Sequence, residues 1–239
     1  MNTAQISLLL DPFLDQPISQ LQLEQISIYI DLLLRWNARI NLTAIRHPEE
    51  IVTRHFGESL FAASHLFPAQ ITWGQPPEPA LSEVEGAVQA ERSSVPGSVI
   101  DVGSGAGFPG LPIKIWAPQV HLTLIESNLK KATFLREVAR ALTLTNINVF
   151  PGRAEDYPNP PAELVTLRAV ERFEAALPIA TRLVATGGRL ALLIGEAQLT
   201  RTHDLTPGFK WSPPIKIPLS STRFLAVGVH QNRVRHVPA

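Results

Sequence analysis

V-I-D-V-G-S-G-A-G-F-P-G, running from Val99 to Gly110, is the stretch that decides the fold. A short apolar run carries one acid, Asp101, and passes into four glycines, Gly103, Gly105, Gly107 and Gly110. This is how a buried parallel strand turns into a helix. Such a turn needs residues without a Cβ, both to reach positive φ and to let a ligand lie against bare backbone. The amides freed at the N-terminus of the next helix favour an anionic ligand group. The loop is therefore read as the floor of a cofactor site.

Two cofactors fit the pattern. Gly105-x-Gly107-x-x-Gly110 matches the dinucleotide fingerprint, and Glu126 follows about twenty residues on, where an acid holds ribose hydroxyls. Asp101-x-Gly103-x-Gly105-x-Gly107 matches the form used by S-adenosyl-L-methionine-dependent methyltransferases. Asp101 favours the methyl donor, because an acid attracts a sulfonium and an amino group but repels a pyrophosphate. A tight turn that binds nothing is the third possibility.

Upstream, Ile18 to Leu23 carries a capping box, Ser19 with Gln22, and a hydrophobic staple, Ile18 with Leu23. A helix is predicted to follow, with Leu21, Ile26, Ile30, Leu33 and Leu34 on its apolar face and an end near Trp36. Leu8 to Leu14 suggests a shorter helix before it. Pro48, Glu49 and Glu50 suit the start of another, running to about Leu66. Residues 1–73 thus read as a helical extension. Asn37 and Asn41 flank a turn as capping residues, and Arg35, Arg39, Arg46, Arg54 and His55 make a basic lip above the cofactor loop. Residues 74–97, rich in Pro, Ser, Glu and Gly, read as a flexible insertion or linker with no chemistry.

Downstream, residues 98–239 alternate β and α. Strands are predicted at Ser98–Val102, His121–Glu126, Ile147–Phe150, Leu164–Arg168 and Arg189–Ile194, with helices at Leu111–Trp116, Leu129–Leu142 and Glu171–Val184. Right-handed crossovers then give a parallel sheet, and Ile215–Leu219 with Arg223–Val229 close it as a hairpin. The fold class is α/β: a Rossmann-like methyltransferase with a mostly parallel seven-stranded sheet. A dinucleotide dehydrogenase needs six parallel strands and usually a separate substrate domain, for which 239 residues leave little room.

Composition narrows the function. With 45% hydrophobic and 18% charged residues the chain has an ordinary globular balance, and no run approaches the eighteen or so apolar residues that span a bilayer. The start lacks a basic segment and meets Asp11, so it is a poor signal peptide and a cytoplasmic location is expected. The absence of cysteine excludes disulfides, thiolate metal sites and methylation through a covalent cysteine adduct. Net charge is zero, yet no acid follows Asp204, while Lys210, Lys216, Arg223, Arg233 and Arg235 are basic, which reads either as a nucleic-acid face or as a solvated basic tail. No histidine and carboxylate cluster has metal-ligand spacing.

Ligands of such a sheet bind outside the carboxyl ends of its strands. Those ends offer Asp101 and the glycine loop, then Glu126 for two ribose hydroxyls, then Arg153-Ala154-Glu155 for an adenine edge, and finally Arg168, facing the transferred methyl. Asn159-Pro160-Pro161 precedes its strand and lacks a following aromatic, so it is a turn and not the motif of amino-group methyltransferases.

Taken in order, W-N-A-R-I-N-L-T, H-F-G-E-S-L, D-V-G-S-G-A-G-F-P-G-L-P, S-N-L-K-K-A-T-F-L, G-R-A-E and L-R-A-V resemble the bacterial 16S ribosomal RNA guanine-N7 methyltransferases, the glucose-inhibited division protein B family. The resemblance covers nearly the whole chain outside the insertion. It implies an enzyme that uses S-adenosyl-L-methionine, held by Gly103, Phe108, Ala154, Glu155 and Arg168, with Asp101, Gly105 and Glu126 beside them. It implies 16S ribosomal RNA or the small subunit as partner, no membrane, and a monomer. Arg168 is then the catalytic candidate, and Arg54 and His55 the RNA contacts. Guanine N7 has a free lone pair and no proton at neutral pH, so its attack needs no general base. Two positions depart from the family: Glu126 stands where Asp is common, and Leu193-Ile194-Gly195 stands where Leu-Lys-Gly is usual. Another methyltransferase acceptor, a nicotinamide oxidoreductase and a non-catalytic RNA-binding module remain as other readings.

Overall fold

The computed structural model describes residues 1–68, 97–168 and 173–231. The predicted insertion, apart from Gly97, lies outside them, as do Ala169, Val170, the first residues of the helix after β4, Arg233 and Arg235. The helices are α1 (Thr3–Leu10), α2 (Gln20–Asn37), α3 (Pro48–Glu50), α4 (Glu58–Leu66), α5 (Gly110–Trp116), α6 (Leu129–Ala141), α7 (Phe173–Arg182) and α8 (Glu196–Leu205). The strands are β1 (Ser98–Val102), β2 (His121–Ile125), β3 (Ile147–Phe150), β4 (Ala162–Arg168), β5 (Val184–Gly195), β6 (Phe209–Trp211), β7 (Ile215–Lys216) and β8 (Arg223–His230).

The sheet runs β3-β2-β1-β4-β5-β8-β6, a path of seven strands, and the two-residue β7 pairs with β8 beside it. The first five strands are parallel, and β8 runs antiparallel to β5, β6 and β7. The α/β, mostly parallel Rossmann-like class expected from the sequence is the observed one. Strand order reverses at β1, whose neighbours are β2 and β4, so the crossovers leave to opposite sides and open a crevice at the strand ends.

Alternation along the strands feeds two cores. Val99, Leu122, Leu124 and Leu164 face one layer, which takes α1, α2, α4, α5 and α6, while Ile100, Val102, Val165 and Leu167 face α7. Strands buried on both faces read as near-continuous apolar runs, as β1 does. The N-terminal helices therefore share one core with the sheet. Gln22 Nε2 donates to the Ile115 carbonyl at 2.9 Å, and Trp116 Nε1 donates to that of Phe67 at 3.1 Å.

The Ser19–Gln22 capping box forms as expected. Ile26, Ile30 and Leu33 of the expected apolar face of α2 are buried, joined by Leu23 and Tyr29, whereas Leu21 is 65% exposed because it lies about half a turn round the helix from Ile30. The helix expected from Pro48 to Leu66 is interrupted by a π-helical segment, Ile51–Gly57, which apolar periodicity does not distinguish from α-helix. Two elements, α8 and β6, fell in the stretch after β5 that carried no sequence assignment. Among the described residues no helix is long and apolar enough to cross a membrane.

Candidate active site

The glycine loop between β1 and α5 adopts the conformation its composition calls for. Gly103, Gly105 and Gly107 have φ of 68°, 57° and 93°, in the region that favours glycine. Close packing adds a second constraint. A Cβ on Gly107 would lie 2.6 Å from Leu111 Cδ1 and closer still to the Tyr29 hydroxyl, and one on Gly110 would lie 2.8 Å from Asp101 Oδ2.

Asp101, expected beside a cationic donor, sits beneath this loop. It is completely buried and does not line the cavity above. Its Oδ1 accepts from Thr166 Oγ1 at 2.7 Å and its Oδ2 from the Gly110 amide at 3.3 Å. The carboxyl ties β1 to β4 and to the start of α5. Burial pushes its pKa up to about 6, against the effect of these hydrogen bonds.

Above the loop a cavity of about 770 Å³ is lined by Leu42, Thr43, His55, residues 103–106, Phe108, Glu126, Ser127, Lys131, Arg153 and Arg168. A second cavity of about 330 Å³ shares Gly103, Ser127 and Arg153 with it and extends past Ala154 and Glu155 to α7. The structure thus gathers Gly103, Gly105, Phe108, Glu126, His55 and Arg168 around the larger cavity and Gly103, Ala154 and Glu155 around the adjoining one. Arg54 stands outside it, with its side chain 58% exposed.

Glu126 closes β2 at the cavity edge. One carboxylate oxygen accepts from the Gly105 amide and the other from the Asn128 amide, each at 2.8 Å. A carboxylate has about four lone-pair positions, so acceptor capacity remains for hydroxyl donors. The longer Glu side chain is held by both loops it bridges.

Phe108 is fixed between Tyr29 and His55. The Tyr29 ring is parallel to it with centroids 5.4 Å apart, and His55 stacks on it at 4.7 Å. The Tyr29 hydroxyl donates to the Ala106 carbonyl, so a helix outside the β/α repeat braces the cofactor loop. Asn37 organises the neighbouring wall. Its Oδ1 accepts from the amides of Leu42 and Thr43 at 2.9 and 3.0 Å, and its Nδ2 donates to the Thr43 carbonyl at 3.0 Å. The capping role expected of Asn37 is thus a loop clamp that presents Leu42 and Thr43 to the cavity.

Arg168 ends β4, and its Nη2 reaches the Arg54 carbonyl at 2.5 Å, Glu58 Oε2 at 3.0 Å and His55 Nδ1 at 3.2 Å. The π-helical segment and the first residue of α4 supply all three partners. Since Nη2 only donates, His55 Nδ1 accepts, which leaves the proton on Nε2 to be donated to Thr43 Oγ1 at 2.8 Å. Burial and then the Arg168 charge push the His55 pKa down to about 3, so the ring is neutral. Burial pulls Arg168 down to about 10, opposed by Glu58.

Sequence reasoning passed over Tyr29, Thr43 and Glu58. Tyr29 stands out as the one aromatic in an aliphatic stripe before Trp36, and Glu58 as an acid within a helix whose neighbours are apolar. Arg223 was legible only as one of the bases that follow Asp204, with nothing local to place it beside Glu58.

The family profile described as rRNA small subunit methyltransferase G (GidB) matches residues 22–72 and 83–211. A protein named ribosomal RNA small subunit methyltransferase G from Roseiflexus castenholzii is 37% identical over 185 residues, which cover 75% of this chain and 68% of that one. One of the same name from Xanthomonas campestris pv. campestris is 34% identical over 208 residues, covering 85% and 84%. The match spans both the helices that brace the glycine loop and the strands that carry it, and the chain belongs to the rRNA small subunit methyltransferase G family.

Proposed function

We propose that this chain transfers the methyl group of S-adenosyl-L-methionine to N7 of a guanine in 16S ribosomal RNA. The observation that carries this reading is the pair of adjoining cavities at the sheet's reversal point, floored by three positive-φ glycines and edged by Glu126 in a chain of this family. The residues suit the donor. Glu126 offers acceptors to ribose hydroxyls, Ala154 and Glu155 line the side cavity where an adenine fits, and Gly103 joins the two spaces. When bound, S-adenosyl-L-methionine supplies an electrophilic methyl group on a cationic sulfur.

The chain's own contribution is positioning. N7 is already nucleophilic, so no side chain has to remove a proton, and His55 accordingly has its one acceptor nitrogen committed to Arg168. Arg168, held on three acceptors, presents a fixed guanidinium to the acceptor side of the cavity. Arginine suits the guanine edge and phosphate by its planar fork of donors. Holding two reactants in register contributes up to about 7–11 kcal/mol of a barrier. Arg54, exposed next to this group, is an RNA contact, and His55 is a wall of the acceptor site. The enzyme acts as a monomer in the cytoplasm, on 16S ribosomal RNA or on the small subunit that contains it.

The test is transfer of labelled methyl to 16S ribosomal RNA from cells that lack this protein. Wild-type chain is expected to label it, and Gly103→Asp and Arg168→Ala to label it at least a hundredfold more slowly. Donor binding without label in RNA or small subunits would overturn the acceptor, and preference for NAD over S-adenosylhomocysteine would overturn the reaction class.

A further inference from the structure

Three guanidinium groups converge on one carboxylate at the rim of the larger cavity. Glu58, with its side chain 3% exposed, lies 3.0 Å from Arg168 Nη2, 3.0 Å from Arg223 Nε and 3.7 Å from Arg54 Nε. Arg223 opens β8 opposite Gly195, and Arg168 closes β4 opposite Leu193, so both stand at the same end of the sheet. Neutral His55 adds no charge to this group. Asp101 acts on Arg168 from deeper in the fold. Among the described residues, even with Asp101 ionised, three arginines stand against two carboxylates and leave positive charge in excess.

Hydrogen-bond donors are in excess as well. Arg168 Nε is buried and has no acceptor among the described residues. The same holds for Arg223 Nε, whose approach to Glu58 is close but not aligned for a hydrogen bond. Buried polar groups are nearly always satisfied, so among the described residues this cluster carries more guanidinium donors than its own acceptors engage. With positive charge in excess, the ligand that suits them is an anion. Arg223 and Arg54 do not line the donor cavity, and their side chains are 21% and 58% exposed, open to a ligand arriving from solvent.

We propose that Arg168, Arg223 and Arg54 form a phosphate site that grips the RNA backbone beside the target guanine, with Glu58 as the positioning residue that fixes their guanidinium planes. This rests on the reading that RNA is the acceptor. Planar donor forks match the paired oxygens of a phosphodiester, and one buried carboxylate lets like charges stay together without cancelling them.

The experiment measures binding of a 16S ribosomal RNA transcript in the presence of S-adenosylhomocysteine, between about 0.05 and 0.3 M salt. Donor affinity is measured separately by calorimetry. Arg223→Ala is expected to weaken RNA binding about tenfold and to flatten the slope of log affinity against log salt by roughly 0.7–0.9, the loss of one phosphate contact. Its S-adenosylhomocysteine affinity should stay within about twofold of wild type. Arg223→Lys is expected to keep the salt slope while losing part of the affinity, and it carries the test if the alanine variant does not fold. Unchanged RNA affinity and slope in folded Arg223→Ala would overturn the site. Equal losses for RNA and donor would overturn it too, and assign these arginines to the donor's carboxylate. Because binding is read without turnover, a wild-type chain that binds the transcript but does not methylate it refutes the proposed function and leaves the phosphate site to be judged by its own slope.

Discussion

Glu58→Gln removes one negative charge and little volume from the centre of the arginine cluster. The most buried partner is Arg168, 3.0 Å away, with side chains 7% and 3% exposed. Removing one member of a buried pair strands the other's charge, at a cost of about 3–5 kcal/mol. Arg54 adds little, since its side chain is 58% exposed and such pairs contribute about 0–1 kcal/mol. Arg223 is intermediate and can turn to water. Glu58→Gln is therefore expected to lose about 3–5 kcal/mol, which at about 2–4 °C per kcal/mol for a chain of this size lowers Tm on the order of 10 °C. Urea unfolding at pH 7 with calorimetry measures it. A cycle with Arg168→Met separates the pair from its surroundings: the double variant should be more stable than the sum of the single losses implies, by up to about 3 kcal/mol. A loss below about 1 kcal/mol in Glu58→Gln, or strictly additive single variants, would refute the assignment of Glu58 as the compensating charge.

Other expectations follow from the loop and its supports. Gly107→Ala places a Cβ at φ 93° against Leu111 and the Tyr29 hydroxyl, so S-adenosylhomocysteine affinity should fall at least about tenfold by calorimetry, with a lower Tm. Tyr29→Phe leaves the Ala106 carbonyl without its donor, which costs about 1–3 kcal/mol and should loosen the loop, read as faster amide exchange at residues 105–108. Glu126→Gln replaces one carboxylate oxygen with a donor that faces an amide, and should weaken donor binding about tenfold or more while the fold persists. Two buried groups oppose each other in acid. Asp101, raised from 3.8 to about 6, contributes stability that is complete below 3.8 and lost as pH rises through about 6. His55, lowered from 6.5 to about 3, contributes stability that is complete above 6.5 and lost as pH falls through about 3. Asp101→Asn should therefore lose stability more steeply than wild type from pH 6.5 downward, and His55→Gln should gain relative to wild type over the same range. Urea midpoints taken against pH check both.

The order of strands was legible because each crossover in the sheet carries its own signal. The glycine loop marks β1, and Glu126, Arg153-Ala154-Glu155 and Arg168 mark the ends of the next three strands. Residues that touch the site through short sequence motifs were legible for the same reason. What escaped depends on contacts far apart in the chain. Asp101 stands where a donor-facing acid is expected, yet Thr166, 65 residues away, and the Gly110 amide turn it inward. Arg223 read as part of a basic stretch, either a nucleic-acid face or a solvated tail, and only the antiparallel pairing of β8 with β5 carries it to Glu58. Leu21 was grouped with the apolar face of α2 but lies about half a turn round the helix from Ile30, and it is exposed. An apolar residue near a helix's start joins the buried face only where the period places it there.

The central claim is that this site methylates a nitrogen needing no base, and the product states it directly. After reaction of the wild-type chain with labelled S-adenosyl-L-methionine and unmodified 16S ribosomal RNA, the RNA is digested and its nucleosides separated by mass. All label is expected in 7-methylguanosine, from a single position. Label in a nucleoside methylated on an exocyclic amine, on a ribose hydroxyl or on carbon, each of which requires loss of a proton, would contradict it.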